Sequence, residues 1–248
     1  MRIGIMAAMP EEIDGLWQQV NNRTEETLAD RVFHSGQLHG IEVVLVFSRW
    51  GKVAAASTVT TLLHRYKATH IVFTGVAGAL NRNLEQGDVV VAQRLIQYDM
   101  DARPLMPQFE IPLLNKTYFE CNQHLIDLAE QAFETIQHQL TPLHPKQRRP
   151  LLLKGDIGSA DRFVGSAEAQ QHILALLPQL QCIEMEGAAV AQVCYEHQIP
   201  FVVLRTISDA ANDTAAHDFP AFLNHVAGPY ATHWMNAFLQ HLNPTSTH

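Results

Sequence analysis

Short apolar runs alternate with helical stretches from one end of the chain to the other, and this alternation limits the possible folds more than any other feature. The runs at 2–9, 70–74, 89–92 and 201–204 have the length and composition of buried strands. Strands that alternate with helices indicate an α/β fold with a largely parallel sheet. No internal repeat, low-complexity segment or linker divides the 248 residues. We therefore expect residues 1–248 to form a single-domain three-layer α/β/α sandwich with a mixed, mostly parallel central sheet.

Local signals predict how the first strands are connected. His39-Gly40 predicts a hairpin between strands at 32–38 and 41–47. The polar stretch 21–30 indicates a loop or an edge strand. The glycine-rich stretch 75–78 predicts a turn after a strand, where backbone and ligand can approach closely.

Besides a small-residue helix from 187 to about 195, apolar spacing and capping residues predict three helices in the second half of the chain. One runs from 119 to about 139. Ser166 is expected to cap a second helix at 167–177. The last helix extends from about 219 to 242, with an irregularity at Gly228-Pro229.

Composition excludes several classes of function. The formal charge is −8 with a pI near 5.9, and no basic run exceeds 146–149, so we expect no nucleic-acid partner. Three cysteines without a CxxC pair argue against disulfides and zinc and favour a reducing cytoplasm. Fourteen histidines are scattered without an HExxH motif, so no metal is expected. No segment has the length of a signal peptide's apolar region or of a membrane span, and we expect no membrane partner.

Charged side chains follow the predicted strands at the points where the strands end. Glu186 opens a helix after one apolar run, and Arg205 and Asp209 follow another. Glu12 lies just past the first strand. Because ligands bind outside the carboxyl ends of strands in open α/β sheets, we expect these side chains to share one pocket. Each also has a purely structural explanation, since helix dipoles favour carboxylates in the first turn and aspartate caps helices and turns.

The glycine-rich stretch at 75–78 is not the GxGxxG fingerprint of dinucleotide-binding folds. No GK[ST] sequence of a P-loop occurs either. A dinucleotide or nucleoside triphosphate site is therefore not indicated.

Seven segments stand out when the chain is taken as a whole: IGIMAAMPEE (3–12), GKVAAA (51–56), TGVAGAL (74–80), GDVVVA (87–92), DRFVGS (161–166), EMEGAAVAQVC (184–194) and RTISDAA (205–211). Together they resemble the nucleoside phosphorylase/hydrolase superfamily and, within it, the 5′-methylthioadenosine/S-adenosylhomocysteine nucleosidases. The resemblance covers nearly the whole chain. It implies an enzyme that cleaves the bond between adenine and ribose with water.

The resemblance also implies roles for the charged residues. Asp209 matches the general acid that protonates N7 of the leaving adenine, and Ser208 matches a residue that positions it. Glu12 matches the acid that holds and activates the water, with Arg205 nearby. Glu186 matches the ligand of the ribose hydroxyls.

The pocket walls follow from the same resemblance. Met185 matches the residue beneath the sugar, and Phe163 the ring that stacks on adenine. Val164 matches the residue whose backbone binds the adenine edge. Met9 and Phe219 match walls around the sugar and the 5′ substituent.

The implied chemistry requires these residue types. Adenine is a poor leaving group until a ring nitrogen is protonated, and a buried carboxylic acid with a raised pKa can deliver that proton. The transition state of glycoside hydrolysis resembles an oxocarbenium ion, in which contacts to the 2-hydroxyl strengthen. A carboxylate at Glu186 provides such a contact, and no metal or organic cofactor is needed.

The chain departs from the family pattern at three places. Val76 stands where a small hydroxyl residue is usual, which removes one hydrogen bond near the water and sugar. Trp50 replaces a usually aliphatic residue at the 5′ end of the pocket. The segment 99–117, which covers the 5′ substituent across a dimer interface in this family, is atypical and rich in apolar residues. We expect it to form a homodimer interface, with Leu105 as the residue that reaches the neighbouring pocket.

Three alternatives remain open from the sequence. A purine nucleoside phosphorylase on the same fold would need an anion site with several arginines, whereas Glu12 would repel phosphate. A non-catalytic nucleoside-binding protein would be expected to have lost Asp209 or Glu12. Among hydrolases, the main substrate is either a thioether nucleoside or else aminofutalosine or 5′-deoxyadenosine.

Overall fold

The computed structural model describes residues 1–140, 148–212, 215, 222 and 228–243. Within these residues one sheet contains eleven strands in the order β2-β3-β4-β1-β5-β11-β6-β10-β9-β7-β8. The strands are β1 (Arg2–Ala7), β2 (Asn21–Leu28), β3 (Arg31–Leu38), β4 (Ile41–Phe47), β5 (His70–Thr74), β6 (Val76–Ala79), β7 (Val89–Gln97), β8 (Phe119–Glu120), β9 (Leu152–Ser159), β10 (Leu180–Glu184) and β11 (Phe201–Asp209). The helices are α1 (Glu11–Trp17), α2 (Lys52–His64), α3 (Gln123–Ile136), α4 (Ala167–Leu176), α5 (Gly187–Glu196) and α6 (Gly228–Leu242).

The centre of the sheet is parallel and buried on both faces. Strand β1 pairs in parallel with β4 and β5, and β11 pairs in parallel with β5. One helical layer contains α1 and α3, which both pack on α6, and another contains α2 and α5. Because helices cover both faces, these strands are continuous apolar runs without alternation. The predicted α/β sandwich with a mixed sheet is confirmed, with parallel pairing between six of the eleven pairs of neighbouring strands.

The second half of the sheet curls until it meets itself. Strand β11 pairs in parallel with β6 and in antiparallel orientation with β7, which lies near the far end of the strand order. The strands β11, β6, β10, β9 and β7 therefore close a ring. The ring brings the carboxyl ends of β10 and β11 to the same region of the molecule.

Several local predictions are confirmed. His39 and Gly40 form the β3–β4 turn with positive φ values of 49° and 74°, as such a hairpin requires. Ser166 caps α4, and its Oγ accepts a hydrogen bond from Ala169 N. The polar stretch at 21–30 contains β2, which is the edge strand of the sheet rather than a loop.

Other local predictions were wrong. The stretch 75–78 is not only a turn, because β6 begins at Val76 and pairs with both β10 and β11. The helix predicted from 119 begins later, since 119–120 form β8 and Asn122 caps α3 by accepting a hydrogen bond from Leu125 N at 3.1 Å. The last predicted helix, by contrast, is confirmed from Gly228 to Leu242 as α6, and Phe219 lies outside the described residues.

No helix in the described ranges is long and apolar enough to cross a membrane.

Candidate active site

A pocket of about 270 Å³ opens beside the ends of β10 and β11. Nine of the residues predicted from the sequence line it: Met9, Trp50, Val76, Phe163, Val164, Met185, Glu186, Ser208 and Asp209. Tyr98, Arg162 and Glu184 also line it and were not predicted. Glu12 and Arg205 lie behind the lining residues, and Leu105 is elsewhere, with its side chain 90% exposed.

Asp209 ends β11 and has a defined set of partners. Its Oδ2 accepts a hydrogen bond from Ser208 Oγ at 2.7 Å, and its Oδ1 accepts one from Ala211 N at 2.8 Å. Ser208 is fully buried, and its Oγ also lies 3.3 Å from the carbonyl oxygen of Ala77. The Asp209 carboxyl is therefore held in one orientation at the pocket wall.

The two glycines of the 75–78 stretch make room for these polar side chains. A Cβ at Gly78 would lie 2.9 Å from Asp209 Oδ1, and a Cβ at Gly75 would lie 3.0 Å from Arg205 Nη1. The distance at Gly78 is shorter than real Cβ contacts, and the distance at Gly75 is tighter than nine in ten of them. Both glycines thus allow the close approach of these two side chains, and Gly78 also lines the pocket, so the close approach of a ligand there stays a prediction.

Glu12 is buried at the start of α1. Its Oε2 accepts a hydrogen bond from Met9 N at 3.1 Å, and its Oε1 accepts one from Thr74 Oγ1 at 3.3 Å. Burial raises its pKa from 4.5 to about 7, while the positive charge of Arg205 acts in the opposite direction. Near neutral pH this carboxyl therefore exchanges a proton readily.

Arg205 is completely buried, and its main partner is Glu184 rather than Glu12. Its Nη2 donates to Glu184 Oε2 at 2.6 Å, and its Nη1 donates to the carbonyl oxygen of Leu204 at 2.8 Å. The guanidinium carbon lies 4.2 Å from the centre of the Phe73 ring. Its Nε has no hydrogen-bond partner among the described residues. The ion pair anchors the charge, which still acts on Glu12 through space.

Glu184 is a buried residue of the pocket to which the sequence assigned no role. Besides Arg205, its carboxylate accepts hydrogen bonds from Glu186 N at 3.0 Å, from Gly187 N at 2.7 Å and from Ser159 Oγ. It thereby joins β9, β11 and the start of α5. The available signal was its position at the end of an apolar run, two residues before Glu186.

Glu186 precedes α5 and projects into the pocket. Its Oε1 accepts a hydrogen bond from Gly51 N at 2.7 Å. Burial and then the charge of Glu184 raise its pKa from 4.5 to about 7, and Arg205 and the Gly51 amide act in the opposite direction. The Gly51 amide and the charge of Arg205 therefore offset only part of the desolvation of this carboxyl.

The remaining walls of the pocket are mostly apolar. Val164 and Val76 are buried, and Phe163 is 49% exposed at the pocket rim. Trp50 is 59% exposed, but its Nε1 donates to the carbonyl oxygen of Ala8 at 3.1 Å, which fixes the ring beside the pocket. Val76 offers no hydrogen bond, and the hydroxyl that contacts Glu12 comes from Thr74 instead. An apolar pocket with a few directed polar groups is typical of small-molecule sites.

Across the described ranges, no group of three or more His, Cys, Asp or Glu side chains has the arrangement of a metal site.

Comparison with known proteins assigns the chain to a class. The family model of the Phosphorylase superfamily matches residues 2–232, and the chain belongs to that superfamily. Within it, the chain is a member of the 5′-methylthioadenosine/S-adenosylhomocysteine nucleosidase family, and hence an enzyme of the glycosyl hydrolase type.

The relatives that support this assignment cover almost the whole chain. The nucleosidase of Staphylococcus saprophyticus is 37% identical over 226 residues, which are 91% of this chain and 93% of the relative. The crystal structure of the nucleosidase from Colwellia psychrerythraea in complex with adenine has 31% identity and a TM-score of 0.88, covering 98% of this chain and 96% of that one. The futalosine hydrolase of Helicobacter pylori has 32% identity and a TM-score of 0.86, covering 97% of each chain.

Proposed function

We propose that this enzyme hydrolyses the N-glycosidic bond of 5′-methylthioadenosine and S-adenosylhomocysteine, releasing adenine and the 5-thioribose product. The observation that carries the proposal is one apolar pocket that combines the Asp209–Ser208 pair with the Glu186 carboxylate. Relatives named for these two substrates are 37% identical to this chain, and a related nucleosidase was crystallised with adenine. An adenine nucleoside is therefore the substrate class we assign.

In the proposed reaction, the bond between C1′ and adenine N9 breaks, and its electron pair leaves with the base. Asp209 donates a proton to N7, and Ser208 and the Ala211 amide hold the carboxyl for that transfer. Glu186 binds the ribose hydroxyls and stabilises the positive charge that develops on the sugar. Water adds to C1′, and Glu12 accepts its proton.

The other predicted residues have supporting roles in the same proposal. Arg205 stays paired with Glu184, and its charge limits the rise of the Glu12 pKa. Phe163 stacks on adenine and the Val164 backbone binds its edge, while Met185 lies beneath the sugar. Met9, Trp50 and Val76 form walls around the sugar and the 5′ substituent, and Phe219 stays a prediction for the same wall.

A phosphorylase on the same fold is less well supported. Phosphorolysis needs a site for a dianion, usually formed by several arginines. Among the described residues that line the pocket, Arg162 is the one arginine, and Arg205 is occupied by Glu184. The buried Glu12 carboxylate lies where an attacking anion would meet repulsion. A non-catalytic binding protein is disfavoured because the proposed acid and base are both present.

A second candidate substrate follows from one comparison. The futalosine hydrolase of Helicobacter pylori is as similar to this chain in fold as the thioether nucleosidases are. Aminofutalosine therefore remains a candidate for the main substrate, and 5′-deoxyadenosine is tested beside it. All of these share the adenine and ribose on which the proposed chemistry acts, and they differ at the 5′ substituent.

Three further parts of the proposal concern the whole chain. We assign residues 1–248 to one nucleosidase domain that works as a homodimer through the 99–117 segment, with Leu105 reaching the neighbouring pocket. We assign it to the cytoplasm, and its cysteines are buried and unpaired. We assign it no nucleic-acid partner, in keeping with its net negative charge.

The first experiment measures adenine release from 5′-methylthioadenosine with and without phosphate and identifies the sugar product. Release that is independent of phosphate, with free 5-methylthioribose, supports the proposal. A requirement for phosphate with a sugar 1-phosphate product assigns the chain to the phosphorylases. The same assay then compares S-adenosylhomocysteine, aminofutalosine and 5′-deoxyadenosine.

Asp209→Asn tests the assignment of the acid. General acid catalysis typically contributes about 10²- to 10⁴-fold, so we expect kcat to fall by about that factor. Binding of a non-hydrolysable nucleoside analogue, measured by calorimetry, should persist because the amide preserves the shape of the pocket. Asp14→Asn, at an exposed aspartate of α1, is the control and should leave kcat unchanged. If Asp209→Asn turns over substrate about as fast as the wild type, Asp209 is not the general acid.

A further inference from the structure

Two carboxylates from distant parts of the chain meet adjacent backbone amides at the start of α2. Gly51 N donates to Glu186 Oε1 at 2.7 Å, and Lys52 N donates to Asp161 Oδ1 at 2.7 Å. The first amides of a helix have no partner within the helix, and α2 has no side-chain cap at its own N-cap residue. The start of α2 therefore binds Glu186, the residue proposed to bind the sugar, and Asp161, which begins the segment that leads to Phe163.

An ion pair links the start of α2 to Asp99, which in turn contacts Asp161. Lys52 Nζ donates to Asp99 Oδ1 at 2.6 Å and to Gln97 Oε1 at 3.1 Å. Asp99 Oδ2 accepts a hydrogen bond from Asp161 N at 3.1 Å. Lys52, Asp99 and Asp161 thus form a closed ring of hydrogen bonds. The Lys52 side chain is only 17% exposed, so the pair is shielded from solvent more than an ordinary surface ion pair is.

Gly51 shows how closely the two segments approach. Its φ is 90°, a conformation that side chains with a Cβ rarely adopt, and a Cβ there would lie 3.0 Å from Asp161 Oδ1. A larger residue would push the Asp161 segment away from α2 and disturb the amide that binds Glu186.

We propose that Lys52 is a positioning residue of the active site. Its ion pair with Asp99 fixes the start of α2 against residues 161–163. This arrangement sets the distance between Glu186, which binds the sugar, and Phe163, which stacks on the base. The inference rests on the proposed function, because the distance between Glu186 and Phe163 matters only if an adenine nucleoside binds between them. Displacement of a positioning group by about 1 Å can lower a rate by about 10²-fold.

Lys52→Met tests the proposal because methionine keeps most of the side-chain length and removes the charge. Loss of a hydrogen bond to a charged group corresponds to a decrease of about 10- to 100-fold, which we expect in kcat/KM for adenine release. Lys154→Met is the matched control, since Lys154 forms an ion pair with Glu130 at 2.9 Å and neither residue lines the pocket. It should keep kcat/KM within about threefold, because such exposed pairs contribute little.

Two further variants separate positioning from folding. Lys52→Arg keeps the charge and should recover part of kcat/KM. Asp99→Asn keeps an oxygen for the Asp161 amide and removes the charge that faces Lys52. Its effect should not add to that of Lys52→Met in the double variant, because both remove the same ion pair.

Hydrogen exchange of peptides covering 160–166 gives a readout that does not depend on activity. Exchange there should be faster in Lys52→Met than in the wild type and unchanged in Lys154→Met. Wild-type kcat/KM in Lys52→Met, or lowered activity with unchanged exchange, would overturn the positioning role. If the wild type releases no adenine at all, the proposed function fails, and the exchange comparison alone decides whether Lys52 orders this segment.

Discussion

At the scale of single residues, the site buries the carboxyl groups of Glu12 and Glu186 in an environment that disfavours their ionised forms. Burial raises the pKa of Glu12 and of Glu186 from 4.5 to about 7. Both act as carboxylates in the proposed reaction, one as the acceptor of the water proton and one as the partner of the sugar hydroxyls. The ionised forms that the chemistry uses are therefore the forms that the fold tolerates less well.

This conflict predicts that activity and stability change with pH in opposite directions. A carboxyl with a raised native pKa stabilises the fold most below about pH 4.5, and this stabilisation is lost as the pH rises through about 7. Glu12 contributes at most about 3 kcal/mol to that decline. Over the same range kcat/KM should rise as the carboxylates form. Urea unfolding and initial rates between about pH 5 and about pH 8 check both directions.

Glu12→Gln separates the contribution of this one carboxyl. The amide resembles the neutral acid, so the variant should gain stability relative to the wild type as the pH rises, while its activity stays low at every pH. Glu11→Gln, at the exposed neighbour on the same helix, should show no such trend. Parallel pH profiles of unfolding for the wild type and Glu12→Gln would contradict the assignment.

Single residues also show where sequence reasoning ends. Glu186 reaches the pocket through the closed ring, because β10, which it follows, runs antiparallel to β6. The position after a strand sufficed to predict Glu12 and Asp209, because β1 and β11 both run parallel to β5 and end at one edge of the sheet. It could not predict that Arg205 pairs with Glu184, since that choice depends on how β10 and β11 meet across the closed ring. Glu184 and Glu186 are equivalent as carboxylates in the sequence, and only their tertiary contacts distinguish the partner of Arg205 from the residue that enters the pocket.

At the scale of elements, the strands that were missed lack a pattern of their own. Val76–Ala79 consists of small residues and forms β6 only because β10 and β11 provide partners on both sides. Residues 119–120 form β8 because they pair with β7, and Asn122 then starts α3. The pairings of β6 with β10 and β11, and of β8 with β7, join residues far apart in the chain. Local propensity and spacing cannot detect such pairings, and they predicted a turn and a longer helix instead. The Ser166 cap of α4, by contrast, depends on contacts within a few residues and was predicted.

Ser166→Ala tests that local chemistry. Loss of the hydrogen bond from Ala169 N to the cap should lower the free energy of unfolding by about 1 kcal/mol. Ser57→Ala, at an exposed position inside α2, is the matched control and should be neutral or slightly stabilising because alanine favours the helix interior. Urea titration of both variants gives the comparison. Equal effects of the two substitutions would mean that the cap contributes nothing to α4.

At the scale of the whole molecule, the 99–117 segment divides into a part that packs inward and a part that faces solvent. Ile111 is buried within this chain, and Phe109 packs against the cluster that contains Val164. Within this chain the Ile111 side chain is therefore covered and the Phe109 side chain is partly covered. Leu105 and Leu113 are 90% and 93% exposed. These two leucines are the members of the segment that a partner subunit would cover.

The Lys52–Asp99 ion pair extends this surface towards the pocket. It brings the start of α2, where Val53 is 81% exposed, next to the start of the 99–117 segment. Trp50, which lines the pocket and is 59% exposed, precedes α2 in the chain, and exposed apolar patches commonly mark contact surfaces. Association through this surface would put the segment of one subunit beside the pocket of the other.

We therefore expect the wild-type chain to sediment as a dimer at micromolar concentration and Leu105→Glu or Leu113→Glu to sediment as a monomer. Burying a leucine typically contributes about 1.5 to 3 kcal/mol, and a buried unpaired carboxylate adds a larger penalty, so one substitution is enough to separate the subunits. Leu176→Glu, at a half-exposed leucine of α4 outside the segment, should leave the dimer intact. If Leu105 also completes the neighbouring pocket, Leu105→Glu loses adenine release together with the dimer, and the activity of the wild type falls on dilution. A wild-type monomer with full activity would show that each chain forms its site alone and that the leucines serve another contact.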